Sequence, residues 1–275
     1  MNYSVLMSVY FKENAQYFLE SVQSMLNQTV KPDEIVLVCD GALTEELDSV
    51  IGSLQEENKN LFKIIRLEKN GGLGKALQIG VQSCSNEIVA RMDTDDIALE
   101  NRMEKQLAFL EQNPDICAVG GQIQEFNTKL ENKVGYRCVP LTPEDVRKTV
   151  SYRNPMNHMT VTFRKQSILD VGNYQHFDKF EDYYLWARLL ENGYKLANID
   201  SVCVYARVND AMYKRRAGVE YFKQTLKLEK YLLNSGLANK YQYYRNICIR
   251  LFGTVLIPNR IRSHLYNKMM RKTEV

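Results

Sequence analysis

Three carboxylates fall within four residues at Asp93-Thr94-Asp95-Asp96, directly after the apolar run EIVARM. Like charges at that density repel unless a cation or a capping role offsets them. Capping the helix that begins near Glu100 needs one aspartate, not three. If extended geometry persists, Asp93 and Asp95 point to the same side. Such a pair makes a hard-oxygen site for Mn2+ or Mg2+ shared with a diphosphate. A second acidic pair, Glu181-Asp182, opens a helical stretch, and by spacing alone it fits carboxylates complementing a helix dipole.

Other strand ends add polar groups. Asp40-Gly41 closes the run EIVLVC and suits either a turn or a carboxylate at the mouth of a sheet. Residues 70–75, NGGLGK, precede a helix whose N–H groups could meet phosphate or a base. The stretch is no Walker loop, because Lys69 takes the first glycine position and Ala76 replaces Ser/Thr. Nor is it a dinucleotide fingerprint, with Leu77 where the third glycine belongs. Those departures argue against a kinase, ATPase or dehydrogenase. Lys75 is a candidate nucleotide contact or a solvated helix lysine. Asn157-His158 precedes the strand-like MTVTF, and His158 suits a core position or an acceptor or phosphate contact.

The elements that must position these groups alternate through the first half. Apolar runs at 4–9, 34–39, 62–67 and 87–92 read as strands, separated by helical stretches at 14–27, 43–58 and 72–84. Continuous apolar strands between helices argue for a mostly parallel, Rossmann-like sheet with flanking helices, an α/β fold. Ligands of such sheets bind at the carboxyl ends of the strands, where Asp40 and Asp93 stand. Further on, a helix at 100–112, a strand at 115–126, a helix start at Thr142-Pro143 and a helix at 178–192 are expected.

The 275 residues, 45% hydrophobic and 25% charged, suit a globular chain with a sizeable core. No apolar run approaches the roughly 18 residues of a membrane span. The N-terminus lacks the basic region of a signal peptide, so a cytoplasmic location is expected. Six scattered cysteines without a CxxC pair read as small buried hydrophobes. The net charge of +3 hides an asymmetry: from Arg207 onward there are 15 Lys and Arg against 4 Asp and Glu, leaving an acidic body.

Blocks in order along the chain carry a resemblance. Residues 4–41, with SVLMSVY, SMLNQT and EIVLVCDG, followed by NGGLGKALQIGV, MDTDD and KFEDYYLWARLLENGYK, resemble family 2 glycosyltransferases of the GT-A fold. The nearest likeness is to bacterial enzymes of exopolysaccharide, capsule and lipopolysaccharide synthesis. The resemblance implies inverting transfer from a UDP-sugar to a polyprenyl-diphosphate-linked or other saccharide acceptor; a galactosyl donor is expected first, glucosyl or N-acetylhexosaminyl next, with no residue deciding between them. It implies Asp182 as general base, Glu181 beside it positioning the acceptor, Asp95 on the metal, and Asp93 on the ribose or the metal. Asp40 would contact the nucleobase, with the main chain around Val9 and Tyr10 framing the uracil. Asp96 would either ligate or cap the following helix. Cys39 departs from the pattern, standing where many relatives carry a further aspartate.

Three regions follow: a nucleotide-sugar-binding half at 1–125, an acceptor-binding and catalytic-base half at 126–206, and a basic helical extension at 207–275. In the extension, Val219, Phe222, Leu226 and Leu233, and later Ile261, Leu265 and Met269, form apolar stripes among basic residues. Such stripes suit amphipathic helices lying on anionic lipid at the inner face of the cytoplasmic membrane, or packed on the body with a solvated basic face. A nucleic-acid-binding or membrane-scaffolding module is the competing class. The acidic body and the lack of a motif of interleaved aromatics speak against nucleic acid. A sugar nucleotidyltransferase would need a basic, glycine-rich loop after the first strand, and VYFKENAQ has one Lys and no Gly.

Overall fold

The computed structural model describes residues 1–208 and 218–253. Its centre is a nine-stranded mixed sheet flanked by helices. The first half runs β1 (Tyr3–Val9), α1 (Ala15–Leu26), β2 (Glu34–Cys39), α2 (Glu45–Glu57), β3 (Phe62–Arg66), α3 (Leu73–Ser83) and β4 (Ile88–Arg91). Local chemistry sets the helix starts. Asn14 accepts the Tyr17 N–H at 3.0 Å, and Thr44 caps α2. Strands β3, β2, β1 and β4 lie side by side in parallel, as their unbroken apolar runs predict.

Strand periodicity divides the core into two layers. Leu6, Val36, Val38 and Val89 face one side with α3 and α7, while Val5, Met7, Ile35 and Leu37 face α1, α2 and α4. Gly80 lets α3 press onto the sheet, since a Cβ there would meet Leu6 Cδ1 at 2.3 Å.

The second half comprises β5 (Ile97–Ala98), α4 (Arg102–Gln112), β6 (Ile116–Phe126), β7 (Lys133–Arg137), α5 (Pro143–Thr149), a 3-10 turn (His158–Thr160), β8 (Thr162–Arg164), α6 (Lys165–Asp170), α7 (Glu181–Glu191) and β9 (Lys195–Arg207). Here the sheet departs from parallel order. β8 wedges antiparallel between β4 and β6, and β5 and β7 also pair antiparallel, while β6 and β9 run parallel. The halves divided at residue 125 thus share one sheet.

Helices α8 (Val219–Asn234) and α9 (Lys240–Leu251) follow. The buried face of α8 is Thr225, Leu228, Glu229 and Leu232, not the expected stripe. Val219 is exposed, and Phe222, Leu226 and Leu233 are half-buried. The stripe shifts because Glu229 is sunk, accepting from Asn246 and ion-paired with Arg250, which apolar periodicity does not register. The expected stripe at Ile261, Leu265 and Met269 lies outside the described residues. Cys39, Cys84, Cys117 and Cys203 are buried, but Cys138 is only half-buried and Cys248 exposed. Among the described residues, no helix is long and apolar enough to cross a membrane.

Candidate active site

The chain leaves β4 at Arg91 and turns through residues 92–96 before β5. Neighbours pin this turn from several sides. Ser21 Oγ of α1 donates to the Asp93 carbonyl at 2.6 Å, and Thr94 Oγ1 donates to Glu13 Oε2 at 2.8 Å. Arg207, the last residue of β9, gives its main-chain N–H to Asp96 Oδ1 at 2.8 Å. Its guanidinium donates to the Asp95 carbonyl at 3.1 Å and to Glu20 at 2.9 Å, 3.7 Å from the centroid of the Tyr17 ring.

The turn gathers one carboxylate oxygen each from Asp93, Asp95 and Asp96 within 4.8 Å of one another. Burial first, then the Asp93 and Glu13 carboxylates, push Asp95 up to about 7. Burial and the other two aspartates raise Asp96 well above the usual range. A divalent cation would offset both the burial and the mutual repulsion of these carboxylates, and an all-carboxylate donor set suits Mn2+ or Mg2+. Helix capping does not account for the cluster. α4 starts at Arg102 with Asn101 as its cap, and Asp96 serves Arg207 instead.

Asp40, at the end of β2, is nearly buried and holds the glycine loop. Its Oδ1 accepts the Gly71 N–H at 2.7 Å and its Oδ2 the Gly72 N–H at 3.0 Å, while Asn70 Nδ2 donates to its carbonyl at 3.1 Å. Gly41 completes the turn at φ 87, where a side chain would strain. The neighbouring main chain is also engaged: the Val9 carbonyl accepts from Asp40 N and the Tyr10 carbonyl from Glu13 N. Lys75 is exposed and lies along its own helix, donating to Gln78 at 3.0 Å.

Glu181 and Asp182 occupy the first turn of α7. Gly74 lies against them, since a Cβ there would stand 3.4 Å from the Glu181 Cβ. Asp40, the glycine loop and the start of α7 therefore form one wall. Burial first, then Asp182, push Glu181 up to about 7. Asn154 Nδ2 donates to Asp182 Oδ2 at 2.6 Å.

Arg91 and Tyr174 link this wall to the acidic turn. Arg91 is buried, pairs with Asp93, and its charge reaches Glu181, His158 and Tyr174. The Tyr174 hydroxyl, raised mainly by burial, also feels Asp182, Glu181 and Asp93. His158 shares a 2.8 Å hydrogen bond with Tyr174 and meets the Trp186 ring edge-on. Burial, then Arg91, hold it well below the usual histidine range, so it is neutral at pH 7.

Sequence reasoning missed Glu13, Arg91, Asn154, Tyr174 and Arg207. One signal was available: a cation inside the apolar run IVARM has no packing reason to be there. Arg207 was counted into the basic extension, and nothing near Glu13 marks it.

A family model described as Glycosyl transferase family 2 matches residues 4–173. An uncharacterized glycosyltransferase of Haemophilus influenzae is 41% identical over 99% of this chain and 100% of its own length. The amylovoran biosynthesis glycosyltransferase AmsE of Erwinia amylovora is 37% identical over 97% of this chain and 98% of its own. An Escherichia coli protein named UDP-Gal:alpha-D-GlcNAc-diphosphoundecaprenol beta-1,3-galactosyltransferase is 35% identical over 98% and 97%. Two solved structures share the fold. S. aureus TarS 1-349 in complex with UDP-GlcNAc matches at TM-score 0.66 and 19% identity, over 98% of this chain and 76% of that one. The mannosyltransferase PcManGT of Pyrobaculum calidifontis, in complex with GDP-Man and Mn2+, matches at TM-score 0.66 and 16% identity, over 91% and 69%. With the family model spanning most of the sheet and full-length relatives above 30% identity, the chain belongs to the family 2 glycosyltransferases.

Proposed function

We propose that this chain is an inverting, metal-dependent hexosyltransferase of bacterial surface polysaccharide synthesis. It moves a sugar, galactose first, from a UDP-sugar to a polyprenyl-diphosphate-linked saccharide. One observation carries the proposal: the buried Arg91 pairs with Asp93 of the carboxylate triad and its charge reaches Glu181, so the acidic turn and the Glu181-Asp182 pair meet at one guanidinium. The E. coli relative supports the donor and acceptor classes through its printed name, and the relatives named for amylovoran and O-antigen biosynthesis support surface polysaccharide synthesis.

The chemistry follows from what each group can do. Asp93 and Asp95 would hold Mn2+ or Mg2+, which when bound supplies Lewis-acid neutralisation of the leaving diphosphate. Asp182 takes the proton of the acceptor hydroxyl as that oxygen bonds to the anomeric carbon. The bond from that carbon to the phosphate oxygen breaks on the opposite face, so configuration inverts and UDP departs. Glu181, pushed up to about 7 by burial and by Asp182, keeps its proton more readily than a free carboxyl and can donate it in a hydrogen bond to the acceptor. Asp40 and the glycine loop border the nucleobase, with Val9 and Tyr10 framing it. Lys75 reaches the nucleotide by leaving Gln78, and His158 lines the acceptor or phosphate side.

Membrane proximity completes the proposal. α9 and its C-cap residue expose Tyr241, Tyr244, Ile249 and Phe252, and residues 254–275 add five Lys and Arg against one Glu. An aromatic and aliphatic face followed by basic sequence suits peripheral contact with an anionic bilayer at the inner face of the cytoplasmic membrane.

The test is calorimetric titration with UDP, GDP and dTDP, each with and without Mn2+. Metal-dependent UDP binding that vanishes in Asp95→Asn establishes the donor site. No nucleotide binding by folded protein overturns it. Transfer from radiolabelled UDP-galactose then examines the base: Asp182→Asn is expected to lose at least 100-fold in turnover.

A further inference from the structure

A polar chain runs from the C-terminal helices to Asp182. Asn154 lies in the loop between α5 and the 3-10 turn, and its Nδ2 donates to Asp182 Oδ2 at 2.6 Å. Its Oδ1 accepts the Met156 N–H at 3.2 Å, which fixes the amide with its donor toward the carboxylate. The residues just before Asn154 are tied down one after another. Tyr183 of α7 donates to the Val150 carbonyl at 2.6 Å. Asn246 of α9 donates to the Ser151 carbonyl at 2.6 Å, and Gln242 to the Ser151 hydroxyl at 3.3 Å. Arg250 of α9 donates to the Tyr152 carbonyl at 2.9 Å.

Two of these α9 groups, Asn246 and Arg250, converge on one acidic residue. Glu229 of α8 is fully buried, 2.9 Å from Arg250 Nε and 3.0 Å from Asn246 Nδ2. Sinking a carboxylate and a guanidinium costs more than an apolar contact of the same volume. A hairpin serving only to cover the core would do better with leucine at 229. The ion pair instead sets Asn246 and Arg250 against consecutive carbonyls of the loop that carries Asn154.

We infer that Asn154 is a positioning residue for Asp182, and that the α8–α9 hairpin, through Glu229, Asn246 and Arg250, holds Asn154 in place. The inference rests on Asp182 being the base, as proposed above. A general base must keep its carboxylate within hydrogen-bond reach of one acceptor hydroxyl, and small displacements cost rate steeply. The donated N–H fixes the carboxylate plane. The hairpin is then part of the catalytic apparatus as well as a surface for docking.

The full chain is compared as Asn154→Ala, Asn154→Asp, Asn246→Ala and the Asn154→Ala/Asn246→Ala pair. Turnover, donor KM, UDP affinity with Mn2+ and Tm are read for each. Asn154→Ala is expected to lower kcat about 10- to 100-fold with donor KM and UDP affinity unchanged. Asn154→Asp keeps the shape but sets a carboxylate against Asp182, so it falls at least as far. Asn246→Ala lowers kcat several-fold alone and adds little to Asn154→Ala, because both act through one loop. If Asn246→Ala does not fold, Gln242→Ala, which loosens the same serine, takes its place. Wild-type turnover in Asn154→Asp overturns the positioning role, and strict additivity of the pair overturns the hairpin link. Full activity in Asp182→Asn instead overturns the base assignment beneath both.

Discussion

Arg91 and Asp93, two residues apart where β4 ends, form an ion pair whose cation is almost wholly buried and whose carboxylate is 29% exposed. The pair runs through Arg91 Nη2, and Arg91 Nε and Nη1 make no hydrogen bond among the described residues. Asp93 is therefore the anion that makes a buried guanidinium tolerable, while Asp95, two residues further, is held against its own charge. Neighbouring carboxylates of one motif thus have opposite effects on the metal-free fold.

Asp93→Ala should lower metal-free stability by about 3 kcal/mol, because it strands the cation. Asp95→Asn should raise it at pH 8 by on the order of 1–3 kcal/mol. The sign follows from linkage: a carboxyl whose folded pKa stands near 7 loses stabilisation as pH rises from about 4 toward 7, and Asn abolishes that loss. Both variants should lose the Mn2+-induced rise in Tm. Melting curves at pH 8 with and without Mn2+ decide, and a fall of Tm in both metal-free variants refutes the contrast.

Glu181 gives a second pH signature, away from the acidic turn. Its carboxyl is raised by burial and Asp182 to about 7, so between roughly 4.5 and 7 the folded state binds the extra proton. Stability should decline across that window and level off above it, by on the order of 1–3 kcal/mol. Glu181→Gln should flatten that part of the profile and be more stable than wild type at pH 8. Urea melts at pH 5, 6, 7 and 8 measure the difference, and parallel profiles for the two proteins contradict it.

Asp40 ties its loop through two consecutive N–H groups, so its carboxylate is structural before any nucleotide arrives. Asp40→Asn turns one acceptor into a donor facing a main-chain N–H. The expected cost is about 1–3 kcal/mol of stability, together with at least a tenfold loss of UDP affinity as the loop and the nucleobase contact go. UDP affinity equal to wild type removes Asp40 from the nucleotide site.

The parallel half of the sheet was legible because buried strands such as EIVLVC are apolar throughout and end in polar turns. The acidic turn was legible because clustered like charge has few structural uses. Its supports were not. Arg207 lies 111 residues from Asp96 in sequence and reaches it only because β9 runs beside β6 and β5. Asn154 is equally ordinary in sequence, and becomes informative only once α7 places Asp182 beside it. The antiparallel insertion of the three-residue β8 is set by long-range pairing rather than local pattern.

The outer face of α9 offers the last prediction. Tyr241, Tyr244, Ile249 and Phe252 are 59–74% exposed, an unusual concentration of aromatic and aliphatic side chains on one short helix and its C-cap residue. Aromatic rings at a bilayer surface add apolar burial, while each nearby Lys or Arg adds about 1 kcal/mol on anionic lipid. The full chain should co-sediment with phosphatidylglycerol vesicles and not with phosphatidylcholine alone, and 0.5 M salt should weaken the binding. Replacing the four exposed side chains by serine should weaken binding at least tenfold while leaving metal-dependent UDP affinity intact, because these exposed side chains are remote in sequence from the acidic turn and the glycine loop. Chains ending at Gly253 lose five of the fifteen basic residues counted from Arg207, so their binding should also fall and depend less steeply on salt. Equal binding to neutral and anionic vesicles by all three proteins would exclude an electrostatic membrane contact.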